Sequence, residues 1–227
     1  MVKLTVAAYL EVGSRRVFAG ALDWPGWCRS GRDEDEVLRA LVAYAPRYAA
    51  AIGRLADEFT APTDTSALDV IERLDGNATT DFGAPAIAPA ADERPLDGSE
   101  LERLQGLLRA CWAAFDAAAE AASSAVLRKG PRGGGRELDA IVSHVLEADR
   151  AYLSLLWSAH RRAGDAYQTV QMVRLRGAII DALRSRARGD PLPVDRRSAR
   201  VWTPRYFIRR SAWHALDHVW EIEDRAA

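Results

Sequence analysis

The sequence lacks an excess of basic residues and contains little lysine and little cysteine. Lysine occurs only as Lys3 and Lys129 among 227 residues, and the formal net charge is −1. A general binder of nucleic acid or of a membrane surface would carry a marked basic excess, so we expect neither partner. The two cysteines, Cys28 and Cys111, make no disulfide framework and have no evident histidine partner for nucleophilic catalysis.

A signal peptide and long apolar runs are also missing. No apolar stretch approaches the roughly 20 residues that span a bilayer, and the first four residues lead directly into a strand-like pattern. The sequence therefore predicts a cytoplasmic protein. Its apolar fraction of 48% and charged fraction of 28% are ordinary for a globular chain that buries a sizeable core.

The N-terminal part of the chain has the pattern of a small αβ unit. Residues rich in β-branched and aromatic types predict a strand over residues 4–12 and its hairpin partner over residues 17–22. An acidic run that begins at Asp33 favours a helix start, and Pro46 predicts a break in that helix. Residues 67–74 are a candidate third strand.

A change in composition predicts two domains. Residues 85–98 carry glycine and proline with few large apolar groups, so we expect a linker there. An αβ domain would then occupy residues 1–84 and a helical domain residues 99–227. The fold class expected from this arrangement is α+β.

Four long stretches of helical periodicity follow the predicted linker. The first is expected to begin at Ser99, in a capping box with Glu102. The others are expected from Arg136 or Glu137 to about Arg162, from about Ala166 to Arg186, and from Thr203-Pro204 onward. Four long helices joined by loops predict an up-down four-helix bundle.

Two of the four histidines, His214 and His218, stand four residues apart in the last predicted helix. This spacing places both imidazoles on one helix face, a turn apart, where they can bind one ion. Two unrelated surface histidines with ordinary hydrogen bonds would have the same spacing. A third ligand is therefore needed before the pair favours a metal site.

His144 in the second long helix is the candidate for that third ligand. It projects from a face of small and apolar residues, where an imidazole without a partner would cost roughly 1–3 kcal/mol. A metal shared with His214 and His218 would satisfy it and leave an open coordination position, as in catalytic sites. The alternative is a core histidine bonded to a carbonyl or to Glu147. Glu147 and Glu221, each three residues after a histidine, could orient ligand rings or ligate directly.

The basic residues near these histidines allow two interpretations, a role in substrate binding or a place on a solvated face. Arg210, one turn before His214, is a candidate for stabilising an anionic substrate, but Arg209 and Arg210 also fit a solvated basic face. The fourth histidine, His160, lies next to an arginine pair and is expected on the surface.

A glycine-rich basic loop precedes the helix of His144. Its side chains Arg132 and Arg136 could hold a phosphate or carboxylate, such as the charged end of a thiol cofactor. A flexible, solvated loop is the alternative. The loop lacks the spacing of the known nucleotide-binding fingerprints.

The helical part resembles the DinB-like superfamily. The resemblance covers about residues 99–227 and is carried by "SHVLEADRAYLSLL" and "AWHALDHVWEIEDR". It implies that His144, His214 and His218 bind a divalent metal, zinc or nickel, that activates a low-molecular-weight thiol such as mycothiol. The superfamily includes metal-dependent thiol S-transferases and thiol-dependent maleylpyruvate isomerases, so a small electrophile is the implied substrate.

The N-terminal part resembles HicB-like domains over about residues 4–75. The resemblance is carried by the turn "LDWPGWCRSG" and the following "DEDEVLRAL". The DNA-binding part usual in HicB antitoxins is not apparent after residue 75, so an antitoxin is not expected.

Two functional hypotheses follow. The first is an enzyme that transfers a thiol to a small electrophile, or isomerises it with a thiol, at a three-histidine metal site. The second is a non-catalytic module that binds a ligand or has a regulatory role, with the HicB-like part mediating assembly or sensing. A homodimer is expected in either case, because bundles of this type often pair.

Overall fold

The protein has a mixed α+β fold, with a four-stranded sheet at the N-terminal end followed by helices. The computed structural model describes residues 5–129, 135–157, 168–192 and 201–226. The α+β class predicted from the sequence is therefore confirmed.

The sheet has the strand order β3-β2-β1-β4. Its strands are β1 (Val6–Val12), β2 (Val17–Ala21), β3 (Cys28–Gly31) and β4 (Leu68–Asp75). β1 and β2 form the predicted antiparallel hairpin, in which Leu10 lies opposite Ala19, and the candidate third strand is confirmed as β4, parallel to β1. β3, antiparallel to β2, was not predicted, since its four residues include an arginine, a serine and a glycine and show no alternation.

Two short helices follow β3 in the places that the sequence indicates. α1 (Glu34–Ala43) is capped by Asp33, whose carboxylate accepts a hydrogen bond from the Glu36 N–H. α2 (Ala45–Ile52) begins at once, with Pro46 in its first turn. The break predicted at Pro46 is therefore confirmed.

Within the described residues, five further α-helices lie after β4. They are α3 (Ala78–Phe82), α4 (Gly98–Ala121), α5 (Leu138–Leu156), α6 (Gln168–Ala187) and α7 (Pro204–Ala226). The predicted start of the last helix at Pro204 is confirmed, and that of α5 differs by one or two residues. The predicted end of the second long helix at Arg162 and the predicted start of the third at Ala166 lie outside the described residues.

The predicted cap of α4 was wrong. Asp97 caps this helix, since its carboxylate accepts a hydrogen bond from the Glu100 N–H at 2.8 Å. The Ser99 hydroxyl instead donates to the Asp97 carboxylate. An ionised carboxylate is the stronger acceptor at the positive end of a helix, so Asp97 takes the position expected for Ser99.

One continuous apolar core joins the sheet to the helices. Side chains of β1, α2, α4, α5 and α7 share this core, represented by the fully buried Leu10, Ile52, Leu108, Ile141 and Phe207. α4 packs against α7, and α5 packs against both α6 and α7. In the part of the chain that the structure describes, every helix is too short or too polar to cross a membrane.

The predicted linker, residues 85–98, packs closely against α7. Asp92, in a short 3-10 helix, is completely buried and forms a bidentate ion pair with Arg209, at 2.7 and 2.8 Å. Arg209 also donates to the carbonyls of Ala21 and Leu22 at the end of β2. The expectation that Arg209 lies on a solvated face was therefore wrong, because its guanidinium joins three separate segments.

A second buried carboxyl, that of Asp149 in α5, has an unusual pKa. Burial raises the pKa of Asp149 to about 7, although the nearby positive charge of Arg176 opposes the shift. Its Oδ2 atom has no hydrogen-bond partner among the described residues. The folded state therefore holds a proton on Asp149 at pH values where the unfolded chain has lost it.

We predict that this proton makes stability depend on pH. As pH rises from about 4 to about 7, the unfolded chain loses the Asp149 proton while the folded chain keeps it. The free energy of unfolding therefore falls over this range, by up to roughly 4 kcal/mol. Asp149→Asn should lose this dependence in urea unfolding across that range, whereas Asp139→Asn, on the exposed surface of the same helix, should keep it. Equal pH profiles for Asp149→Asn and the parent would contradict the assignment.

Candidate metal centre

α7 places His214 and His218 on one face, as the four-residue spacing predicts. The helix begins at Pro204, and the Thr203 hydroxyl accepts a hydrogen bond from the Tyr206 N–H, which caps its first turn. Only 6% of His214 and 7% of His218 is exposed. Both imidazoles are thus held beside the core rather than in solvent.

α5 runs antiparallel to α7 and brings His144 to the middle of both helices. At one end, the Trp202 N–H donates to the Leu155 carbonyl at 2.9 Å. At the other end, Gly135 lies against the guanidinium of Arg225, so close that a Cβ on Gly135 would lie 2.6 Å from that group. These two contacts fix the register in which His144 faces the histidine pair.

The three histidines bring one ring nitrogen each to within 4.8 Å of one another. The Nε2 atoms of His144 and His214 lie 3.2 Å apart. Nitrogens that bind one tetrahedral zinc ion at 2.0–2.1 Å lie about 3.3 Å apart, so this pair already has the spacing of ligands. The three residues could therefore bind a metal ion after a small adjustment of the third ring.

The electrostatic surroundings keep two of these imidazoles neutral. Burial lowers the pKa of His214 well below its ordinary value, and the charges of His218 and Arg210 lower it further. Burial, followed by the charge of Arg136, also lowers the pKa of His144. Neutral imidazole is the form that binds metals, because its free lone pair is the ligand.

Glu221 orients the ring of His218. The His218 Nδ1–H donates to the Glu221 carboxylate at 2.8 Å, which leaves Nε2 free as an acceptor. This hydrogen bond is the main reason that the pKa of Glu221 is lowered, and Arg225 binds the other carboxylate oxygen at 2.8 Å. A carboxylate behind a histidine in this way is typical of metal sites, where it fixes the tautomer of the ligand.

No family model, curated protein or solved structure matches this chain. The resemblance to the DinB-like superfamily therefore depends on the residues quoted above, and the ligand roles of the histidines stay predictions. What the structure adds is that the three predicted residues converge.

Two other predicted site residues, Glu147 and Arg136, are exposed. Glu147 is exposed and forms an ion pair with Arg150 at 2.7 Å, so its role in orienting His144 stays a prediction. Arg136 is exposed at the start of α5. Arg132 and His160 lie outside the described residues.

Several residues of the site were not predicted from the sequence. The ring of Tyr152 lies 5.8 Å from that of His214, and the ring of Trp213 lies 6.0 Å from it. Tyr152 follows His144 by eight residues, and Arg225 follows Glu221 by four, so both spacings place these residues on the face of their histidine. Helical periodicity was therefore a signal that could have found them.

Proposed function

We propose that His144, His214 and His218 bind a divalent metal ion, zinc or nickel, and that the protein is a metal-dependent thiol S-transferase or thiol-dependent isomerase. The observation that carries this proposal is the convergence of three ring nitrogens, from two helices, within 4.8 Å. A small electrophile would be the substrate, and a low-molecular-weight thiol the cosubstrate.

The arrangement of the long helices supports the finer assignment of the fold. α4 lies against α7, α5 against α6 and α7, and α4 also touches α6, as expected for an up-down four-helix bundle of the DinB-like type. The hairpin, α1, α2 and β4 are the elements expected for a HicB-like unit. Both family assignments are proposals.

The chemistry proposed for the site follows from its ligands. Three histidine ligands would leave a coordination position open, and a divalent ion there would lower the pKa of a bound thiol. His218, whose Nδ1 is held by Glu221, would bind the ion through Nε2. In the transfer reaction a carbon–sulfur bond forms as the leaving group departs with its electron pair, and the thiol proton passes to solvent.

An assay of thiol consumption tests the proposed activity. Protein reconstituted with zinc or nickel should accelerate the reaction of a thiol panel, mycothiol included, with monobromobimane, measured by the fluorescence of the conjugate. Metal-free protein and His218→Ala should give the uncatalysed rate. Stoichiometric metal without acceleration for any thiol would contradict the enzyme and favour the non-catalytic module.

A further inference from the structure

The acidic and basic residues around the histidine cluster are unequally paired. Glu221 is bound by Arg225, and Asp217 by Arg29 at 3.4 Å. Within the described residues, neither Arg136 nor Arg210 has a carboxylate partner. The cluster therefore has an excess of positive charge before any cation binds.

Arg210 is the more confined of these two cations. Its guanidinium lies 4.5 Å from the ring centroid of Trp213 and 5.4 Å from that of Tyr152. Its Nη1 atom is buried and has no hydrogen-bond partner among the described residues. A buried donor left without an acceptor costs about 1–3 kcal/mol, and more when it is charged.

The guanidinium of Arg210 is also adjacent to the proposed metal ligands. Tyr152, which it contacts, lies edge-on to the ring of His214 at 5.8 Å. Arg210 precedes His214 by one turn of α7, about 6 Å along the helix axis. A ligand held at the histidine cluster could therefore extend toward Arg210.

The chemistry of Arg210 selects the group that would bind it. A planar guanidinium with its face on an aromatic ring presents its N–H donors at the edge, which suits a planar carboxylate. A guanidinium also binds phosphate bidentately, but a phosphate group carries a charge near −2, and the single positive charge of Arg210 would leave part of that charge unpaired. The neighbouring rings of Tyr152 and Trp213 supply no further charge.

We infer that the thiol used at this site bears a carboxylate, which Arg210 binds while the sulfur is activated at the histidine cluster. This inference rests on the proposed function, since it requires the three histidines to hold a metal ion. A thiol without a carboxylate would leave the Arg210 Nη1 donor unpaired.

Two thiols that differ only in charge test this inference. Protein loaded with cobalt(II) is titrated with 3-mercaptopropionate and with its methyl ester, and binding is followed by the sulfur-to-cobalt charge-transfer absorption. A charge-assisted hydrogen bond predicts that the acid binds about 10- to 100-fold more tightly than the ester. Arg210→Gln should reduce this preference to less than about threefold, and Arg210→Lys should retain part of it.

A matched control separates Arg210 from a general charge effect. Arg174→Gln removes an exposed arginine of α6 and should keep the full preference for the acid. Circular dichroism and cobalt stoichiometry should be the same in all variants. The inference is overturned if the acid and ester bind equally, or if Arg210→Gln keeps the preference, as direct chelation by the carboxylate would cause.

The result also separates this inference from the proposed function. If the parent protein binds no cobalt, or neither thiol changes the spectrum, the metal-dependent function fails and the inference fails with it. If cobalt and the ester both bind but the acid has no advantage, only the role of Arg210 is wrong.

Discussion

His218→Ala is expected to weaken metal binding by more than about 100-fold. Replacing a residue that only orients a ligand typically costs 10- to 100-fold in affinity, so losing a ligand should cost more. His218 is also the histidine whose tautomer Glu221 fixes. Competition with a chromogenic chelator measures the affinity of both proteins for zinc.

His160→Ala is the matched control for this prediction. The sequence places His160 apart from the proposed ligands, so its removal should leave zinc affinity unchanged. His144→Ala and His214→Ala should lose affinity as His218→Ala does. Equal affinity in the parent and His218→Ala, with both proteins folded, would show that this imidazole is not a ligand.

Asp92→Ala is expected to give the largest loss of stability, about 3–5 kcal/mol. Asp92 is completely buried, and its removal leaves the guanidinium of Arg209 in the interior without its carboxylate partner. An unpaired charge in such a site costs far more than the lost hydrogen bonds alone. Urea unfolding followed by circular dichroism measures the free energy of unfolding.

A double mutant shows whether the unpaired charge is the cause. Asp92→Ala combined with Arg209→Met removes both charges and should be more stable than Asp92→Ala alone. The carbonyls of Ala21 and Leu22 lose their donor in the double mutant, so recovery should be incomplete. A loss below about 1 kcal/mol for Asp92→Ala would contradict a buried ion pair that holds residues 85–98 on α7.

Local signals explain which parts of the fold could be predicted from the sequence. The hairpin, β4 and the break at Pro46 each follow from the periodicity or backbone chemistry of a few adjacent residues. β3 gave no such signal, because an edge strand of four partly polar residues is defined by its pairing with β2. The Arg209–Asp92 pair joins residues 117 positions apart, and no local pattern reports such a contact.

The sequence predicted individual residues of the candidate site, but not which of their side chains contact one another. Helical spacing indicated that His214 and His218 share a face, and the apolar face around His144 indicated that it needs a partner. Glu147 and Glu221 have the same three-residue spacing from a histidine; Glu221 binds its histidine directly at 2.8 Å, whereas the role of Glu147 stays a prediction. Which side chains meet depends on the packing of α5 on α7, and spacing alone does not contain that information.

The convergence of the three histidines is tested most directly by anomalous diffraction from crystals of the protein purified without a histidine tag. Data collected on both sides of the zinc and nickel absorption edges should show one ion bound to His144, His214 and His218. Its distances to the three ring nitrogens should be about 2.0–2.1 Å if the ion is zinc. An anomalous map without a peak among these rings, in crystals grown with either metal in excess, would contradict the account.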